Sequence, residues 1–408
     1  MRRYYWGFFL NLYYCKKDGD ILTSWQDILE TQSQSNPPRL SIEDAITLYD
    51  DADFNALRQT ALDKRRQINE PSEVTYLIDR NINYGNACTI NCQFCSFYRA
   101  PGHAEAYLQS TEQISARVRE LEAIEGTRIL MQGGVDPSLQ IEWYEDLLAY
   151  LRTNHPTIDL DCFSPIEIEG IADVCGLSTL EVLQRFQKAG MHGLPGGGAE
   201  MLVDDVRLGV SPLKGSGENW LKVMGEAHSL GLTTTATNVI GFGETNAHRV
   251  GHMDKVRQLQ DRSNADGNRG FTAFIAWTVQ LENNAFGRRN KGNRNKKVGP
   301  VEYLRHVAIS RLFFDNVDHI QASWLTMGMD VAQLALFGGA DDIGSTMMEE
   351  NVVSAAGTTK VLCTEEELQY AIIRAGFKAI RRDSDYNLLE TPKLGIDAQS
   401  IPAPPPQQ

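Results

Sequence analysis

From residue 74 to residue 346, short apolar runs alternate with amphipathic stretches of helical period. The runs at 74–84, 127–134, 157–165, 231–243, 271–280 and 319–324 read as strands, and 191–198 and 340–346 supply two more. Helical patterns fill the gaps at 111–124, 140–153, 178–189, 217–230, 245–261, 301–314 and 328–336. The 178–189 pattern starts on a capping Ser or Thr and stops at Gly190. A parallel neighbour needs a crossover long enough for a helix, so strand–helix units in series make a parallel sheet. This many units predict an α/β fold, a (β/α) barrel of the TIM type. A doubly wound sheet would want Gly-x-Gly-x-x-Gly after its first strand, and none follows.

The barrel is expected over 76–390, with a helical preface at 30–75 packed against it as a cap. Its stretch SIEDAITLYDDAD (41–53) carries a Ser N-cap and acidic residues in the first turn. Residues 1–29 read as a poorly ordered extension, since tyrosines and an asparagine interrupt its apolar stretch and no small-residue cleavage site follows. The proline-rich end, 391–408, reads as a disordered tail. A net charge of −14 argues against a broad nucleic-acid footprint. No apolar run approaches the roughly 18 residues that span a bilayer. Seven cysteines in 408 residues are too sparse for a disulfide scaffold. Their clustering points to metal in a reducing compartment, hence the cytoplasm.

Three of the seven lie within CTINCQFC (88–95), in the loop after the first strand. In a parallel barrel that places Cys88, Cys92 and Cys95 at the C-terminal mouth, where active sites sit. Soft thiolates at short spacing select zinc or an iron–sulfur cluster. Zinc would want a fourth ligand from a second Cys or His pair, and the remaining cysteines form no such pair. Three thiolates on a four-iron cluster leave one iron open to a substrate or cofactor.

Cys-x3-Cys-x2-Cys with an aromatic residue, Phe94, before the last cysteine resembles the signature of the radical S-adenosylmethionine superfamily. The resemblance implies a [4Fe-4S] cluster on Cys88, Cys92 and Cys95 and S-adenosylmethionine chelating the open iron. One electron from the cluster would then cleave the sulfonium and release a 5′-deoxyadenosyl radical. MQGGVDP (131–137) resembles the glycine-rich segment that holds the methionine amino group, which assigns Gln132, Gly133 and Gly134 to the cofactor. LPGGGAEML (194–202) resembles the segment whose glutamate, here Glu200, contacts it. Taken alone, an ordinary strand–helix turn and a helix N-terminal charge would look the same.

Within the superfamily, DRNINYGNAC, FCSFYR, FSPIEI, FTAFIAWT, IQASW and STMMEENVVSAAG together resemble the cyclic dehypoxanthinyl futalosine synthases of menaquinone biosynthesis. Their relatives are the aminofutalosine synthases and the enzymes that build the deazaflavin chromophore. PGGGAE and GSTMMEENV favour the cyclases, whereas TNVIGFGET (237–245) departs from them. The implied chemistry is hydrogen abstraction from the ribose-derived C4′ of the substrate, addition of that radical to the aromatic ring, and loss of an electron and a proton. No catalytic base is legible.

Candidate substrate contacts are Arg99 for a carboxylate, and Trp277 and Gln280 at a strand end. A solvated loop arginine and an inward core tryptophan are the plain alternatives. The basic run GRRNKGNRNKK (287–297) reads as a mobile loop, with docking of an acidic electron donor as its functional reading. Expected partners are a small-molecule substrate and a reductant such as flavodoxin or ferredoxin. The contrasting class is a non-catalytic iron–sulfur electron-transfer protein, which would supply four cysteines per cluster.

Overall fold

The computed structural model describes residues 23–292, 297–349, 351–356 and 362–392. Ten strands follow in chain order: β1 (Glu73–Leu77), β2 (Asp79–Ile82), β3 (Arg128–Met131), β4 (Asp159–Cys162), β5 (Gly193–Leu194), β6 (Thr233–Ile240), β7 (Phe271–Thr278), β8 (His319–Gln321), β9 (Asp342–Ser345) and β10 (Lys378–Arg381). All pairings are parallel, in the order β10-β1-β9-β8-β7-β6-β5-β4-β3-β2. Ile78 alone separates β1 from β2. At this junction Leu77 O accepts from Thr346 N just beyond β9, and Ile78 O accepts from Thr127 N just before β3, both at 3.1 Å. β9 and β3 therefore flank one continuous stretch of chain, and the sheet curls into the expected barrel.

The run expected at 74–84 is thus two ladders, because its first half pairs with β9 and β10 and its second half with β3. The other seven expected strands lie where the apolar runs placed them, shortened at their ends. β10 was not anticipated: it is a half-exposed edge with the sequence KAIR and offers no apolar run. Helices Pro165–Cys175 and Glu365–Arg374 were also not anticipated. Ser178 and Gly190 cap helix Thr179–Ala189 as their positions predict, Gly190 at φ 114°.

The helical preface begins earlier than residue 30. Ser24 and Asp27 form a capping box that starts helix Trp25–Gln32, and Ile28 and Leu29 bury its inner face, so the boundary at 29 is corrected. Helices Ile42–Asp51 and Phe54–Ile68 follow, capped by Ser41 and Asp53. Arg257 and Arg305, on the outer helices Asn246–Ala265 and Pro300–Phe313, donate to Leu40 O, Leu48 O and Ala52 O of the preface. Preface and barrel share one hydrophobic core. The expected extension up to residue 22, and the tail from 393 onward, lie outside the described residues.

The barrel interior departs from the apolar packing usual in such barrels. Along β6, Thr233, Thr235, Thr237 and Val239 face inward, joined by Asn81, Arg128, Asp161 and Thr272, around a cavity of about 390 Å³. The cavity runs from the cysteine loop at the mouth to a polar floor.

Candidate active site

Past β2 the chain forms a loop pinned at several points by its own backbone. Gln109 N donates to Tyr84 O at 2.8 Å, Cys88 N to Arg99 O at 2.9 Å, Thr89 N to Val135 O at 3.1 Å and Gln93 N to Val210 O at 3.0 Å. Cys88, Cys92 and Cys95 all face the cavity as free thiols. Burial pushes the Cys88 thiol up and the Cys95 thiol to about 11, and the neighbouring Cys92 adds to both. Such thiols are poor nucleophiles by themselves and ionise when a cation binds them. Backbone N–H groups of Ile90 and Val135 point at the Cys88 sulfur, and those of Phe97 and Tyr98 at Cys95. Bonds of this kind stabilise thiolate charge.

The glycine segment is pressed against this loop. A Cβ on Gly134 would stand 2.1 Å from Ala87 O and 2.7 Å from the Cys88 Cβ, and one on Gly133 would stand 2.5 Å from the Tyr84 ring. Glycine is needed at both positions for close approach. A residue that sequence reasoning missed holds the contact together. Glu167, in the first turn of helix Pro165–Cys175, accepts from Tyr84 Oη at 2.7 Å and Gly133 N at 2.9 Å through Oε1, and from Ser164 Oγ at 2.7 Å through Oε2. Burial raises this carboxyl to about 7 against the pull of its three donors. The capping pattern Ser-Pro-x-Glu marks it as a helix start, but its partners lie 34 and 83 residues away. Gln132 lines the cavity and donates from Nε2 to Phe163 O at 3.0 Å.

Across the cavity, Gly197 faces Gln132, whose Nε2 would stand 2.5 Å from an added Cβ. Glu200 sits in left-handed backbone at φ 39° and accepts Val239 N on its carbonyl at 2.7 Å. Its Oε1 takes the Lys214 ammonium at 2.7 Å, while Oε2 is buried without a hydrogen bond and has the Arg207 guanidinium at 3.9 Å. Lys214, another missed residue, lies 5.2 Å from the centre of the Phe94 ring. Phe94 packs on Phe242 at 5.1 Å, and Phe242 on Phe286 at 5.5 Å. Trp277 and Gln280 line the same mouth, and Gln280 Nε2 donates to Thr278 O at 3.0 Å.

Arg99 is not in the cavity. Its Nη1 donates to the carbonyls of Ser96, Phe97 and Tyr98, and its Nε pairs with Glu105 at 2.7 Å. These bonds close the cysteine loop on its outer side, so the expected carboxylate contact is corrected to a role in holding the loop.

The floor comes from the loop after β10. Tyr386 stacks on His319 at 3.7 Å, with the Arg382 guanidinium over its ring at 3.8 Å. Asp385 accepts from His192, Thr233 and Arg269. Burial opposes the His192 charge, but Asp161, Asp385 and Asp159 outweigh it and raise the imidazole to about 10. Arg128 bridges Asp79 at 2.5 Å and Asp161 at 3.7 Å. Cations and carboxylates alternate here, which gives a polar floor with no large excess of either sign.

Two family models match the chain: the radical SAM superfamily over residues 82–256, and the CofH/MqnC C-terminal region over residues 268–395. The chain is 43% identical over 356 residues to a cyclic dehypoxanthine futalosine synthase of Halalkalibacterium halodurans, covering 87% of this chain and 93% of that one. This chain belongs to the CofH/MqnC family of radical SAM enzymes. A cyclic dehypoxanthine futalosine synthase of Streptomyces coelicolor is 40% identical, covering 86% of each chain. A 5-amino-6-(D-ribitylamino)uracil–L-tyrosine 4-hydroxyphenyl transferase of Trichormus variabilis is 36% identical, covering 87% and 93%. Among solved structures, HydG, a maturase of the [FeFe]-hydrogenase, superposes with a TM-score of 0.68 at 14% identity, covering 88% of this chain and 76% of that one. That similarity concerns the fold.

Radical SAM enzymes use a [4Fe-4S] cluster and S-adenosylmethionine, and the residues of this chain fit both. Three cavity-facing thiols with amide donors aimed at two of them suit a multi-iron cluster, which takes one thiolate per iron. Glu200 lines the cavity, and its Oε2, which makes no hydrogen bond and has only the Arg207 guanidinium at 3.9 Å, suits a cofactor group with a donor. Among the described residues, no helix is long and apolar enough to cross a membrane.

Proposed function

We propose that this radical SAM enzyme cyclises dehypoxanthine futalosine to cyclic dehypoxanthinyl futalosine in menaquinone biosynthesis. The observation that carries the reading is the graded similarity: 43% and 40% identity to two futalosine cyclases against 36% to a tyrosine-using transferase, over nearly the same span. The triple glycine supports it. A Cβ at Gly196 would stand 2.3 Å from Thr235 O, and one at Gly197 2.5 Å from Gln132 Nε2, so side chains at these positions would reshape the wall.

When bound, the cluster and S-adenosylmethionine supply a carbon radical able to abstract a substrate hydrogen. The protein supplies the rest. Cys88, Cys92 and Cys95 hold the cluster, and the backbone at Gln132–Gly134, fixed by Glu167, presents its polar groups beside it. Glu200, held between Lys214 and Arg207, places a carboxylate on the opposite wall. Trp277 and Gln280 bound the mouth, where an aromatic substrate can lie against the indole. The barrel wall, with its floor plugged by Tyr386 and Arg382, excludes water and holds the substrate in a reactive pose. The substrate's polar groups find hydroxyl and amide partners along Thr233, Thr235, Thr237 and Asn81.

The test is anaerobic. The reconstituted enzyme is reduced with dithionite and given S-adenosylmethionine with dehypoxanthine futalosine, and chromatography follows 5′-deoxyadenosine and the cyclised product. Both should form together and disappear in Cys92→Ala. Deoxyadenosine without cyclised product would overturn the substrate assignment and make tyrosine with 5-amino-6-(D-ribitylamino)uracil the next pair to try.

A further inference from the structure

Family membership leaves open how the electron reaches a cluster set at the mouth of the barrel, and a surface feature bears on this. The chain carries a net charge of −14, yet one segment after β7 is strongly basic. The structure seats the first part of this segment on the cysteine loop. The short helix Ala285–Arg289 meets the loop at Gln93, between Cys92 and Phe94. Phe286 N donates to Gln93 O at 2.8 Å, and Arg289 Nη1 to Gln93 Oε1 at 2.6 Å. Ser96 Oγ donates to Glu282 O at 3.1 Å and ties the far side of the loop to the same segment. Beneath it, Phe286, Phe242 and Phe94 form a continuous aromatic contact that ends one residue from Cys95.

Outward, Arg288, Arg289, Lys291 and Lys297 are all exposed, and none forms an ion pair among the described residues. A mobile solvated loop has no need of this arrangement. A helix locked to the cluster-binding loop by two hydrogen bonds and an aromatic contact holds Arg288 and Arg289 at a fixed position, with Lys291 next to its end.

We propose that Arg288, Arg289, Lys291 and Lys297 form the docking surface for a small acidic protein that carries single electrons, of the flavodoxin type. Charge complementarity selects the occupant. The acidic remainder of this chain repels an acidic partner, so the partner is steered to the basic segment. That segment is also the surface from which Phe286, Phe242 and Phe94 lead to the cysteines. In each encounter the carrier loses one electron and the cluster gains one, and no bond of this chain forms or breaks. The proposal rests on family membership and not on the identity of the substrate.

The test uses the reconstituted enzyme and purified flavodoxin. Binding is measured by calorimetry against salt concentration, with the wild type and with a triple variant, Arg288→Glu, Lys291→Glu and Lys297→Glu. Arg289 is left in place because it also holds Gln93. The wild type should bind with an affinity that falls as salt rises. The variant should bind about tenfold more weakly or worse at low salt, with a shallower salt slope. Substrate-free cleavage of S-adenosylmethionine driven by dithionite, which needs no docking, should be unchanged, while cleavage driven by reduced flavodoxin should fall with the affinity. Equal flavodoxin binding by both proteins would overturn the proposal. So would loss of dithionite-driven cleavage in the variant, which would make the segment a structural support of the cysteine loop. Salt-dependent binding of a single-stranded RNA oligomer, lost in the variant while flavodoxin binding persists, would reassign the surface to nucleic acid. Failure of the futalosine assay leaves each of these readouts intact.

Discussion

Glu167 makes the arrangement of the glycine segment testable through stability alone. Its carboxyl is held near 7, well above its value of 4.5 in an unfolded chain, because burial disfavours the charge. The folded state therefore binds more protons than the unfolded state between pH 4.5 and 7, and stability falls as pH rises through this window. A displacement of this size corresponds to about 3 kcal/mol. Glu167→Gln removes the titration and keeps an acceptor for Tyr84 Oη and Gly133 N. The variant should match wild type within about 1 kcal/mol at pH 5 and exceed it by about 3 kcal/mol at pH 8. Glu167→Ala removes the acceptor, which leaves Gly133 N unpaired and Tyr84 Oη with only the long bond to Gly134 O at 3.4 Å, at about 1–3 kcal/mol for each weakened donor. That variant should be the weakest of the three at pH 5 and should approach wild type at pH 8, where relief of the buried charge offsets the lost bonds. Thermal midpoints between pH 5 and 8.5, at roughly 2 °C per kcal/mol for a chain this large, resolve these differences. Parallel profiles for wild type and Glu167→Gln would refute the buried-carboxyl argument. An Ala variant as stable as the Gln variant at pH 5 would refute the claim that Tyr84 and Gly133 depend on this side chain.

Three further outcomes follow from the same geometry. Gly134→Ala should lose iron and sulfide after reconstitution, because a Cβ 2.1 Å from Ala87 O has to displace the cysteine backbone, and Gly299→Ala, at a glycine with open space around it and a φ of −89°, should keep its iron. Arg99→Lys should speed iron release to a chelator with little change in substrate KM, since Nη1 binds the carbonyls of Ser96, Phe97 and Tyr98 while Nε pairs with Glu105, and one ammonium cannot serve both sides at once. His192, raised from 6.5 to about 10 by its aspartates, contributes stability that is complete below pH 6.5 and lost as pH climbs through 10. His192→Gln should flatten the thermal midpoint between pH 7 and 10, and an unchanged slope would count against the floor network.

What could be read from the chain alone is what local pattern encodes. Alternating apolar runs and helical periods specified the barrel because each strand and each helix buries a face of its own, whatever its partner. Cys88, Cys92 and Cys95 were legible because all three ligands fall within one loop. Capping residues such as Ser178 and Gly190 were legible because they act within a turn. Tertiary structure decided everything that depends on distant partners. Glu167 looks like an ordinary helix cap until the fold brings Tyr84 and Gly133 to it. Arg99 looks like a free cation until the loop curls its own carbonyls around the guanidinium. The split at Ile78, which closes the sheet, depends on β9 and β3 arriving on opposite sides of one strand. Tyr386 and Asp385 become a barrel floor only because β10 pairs with β1 some 300 residues earlier in the chain. Local hydrogen bonding and hydrophobic period are properties of neighbours in sequence, whereas close approach, burial and charge balance belong to neighbours in space.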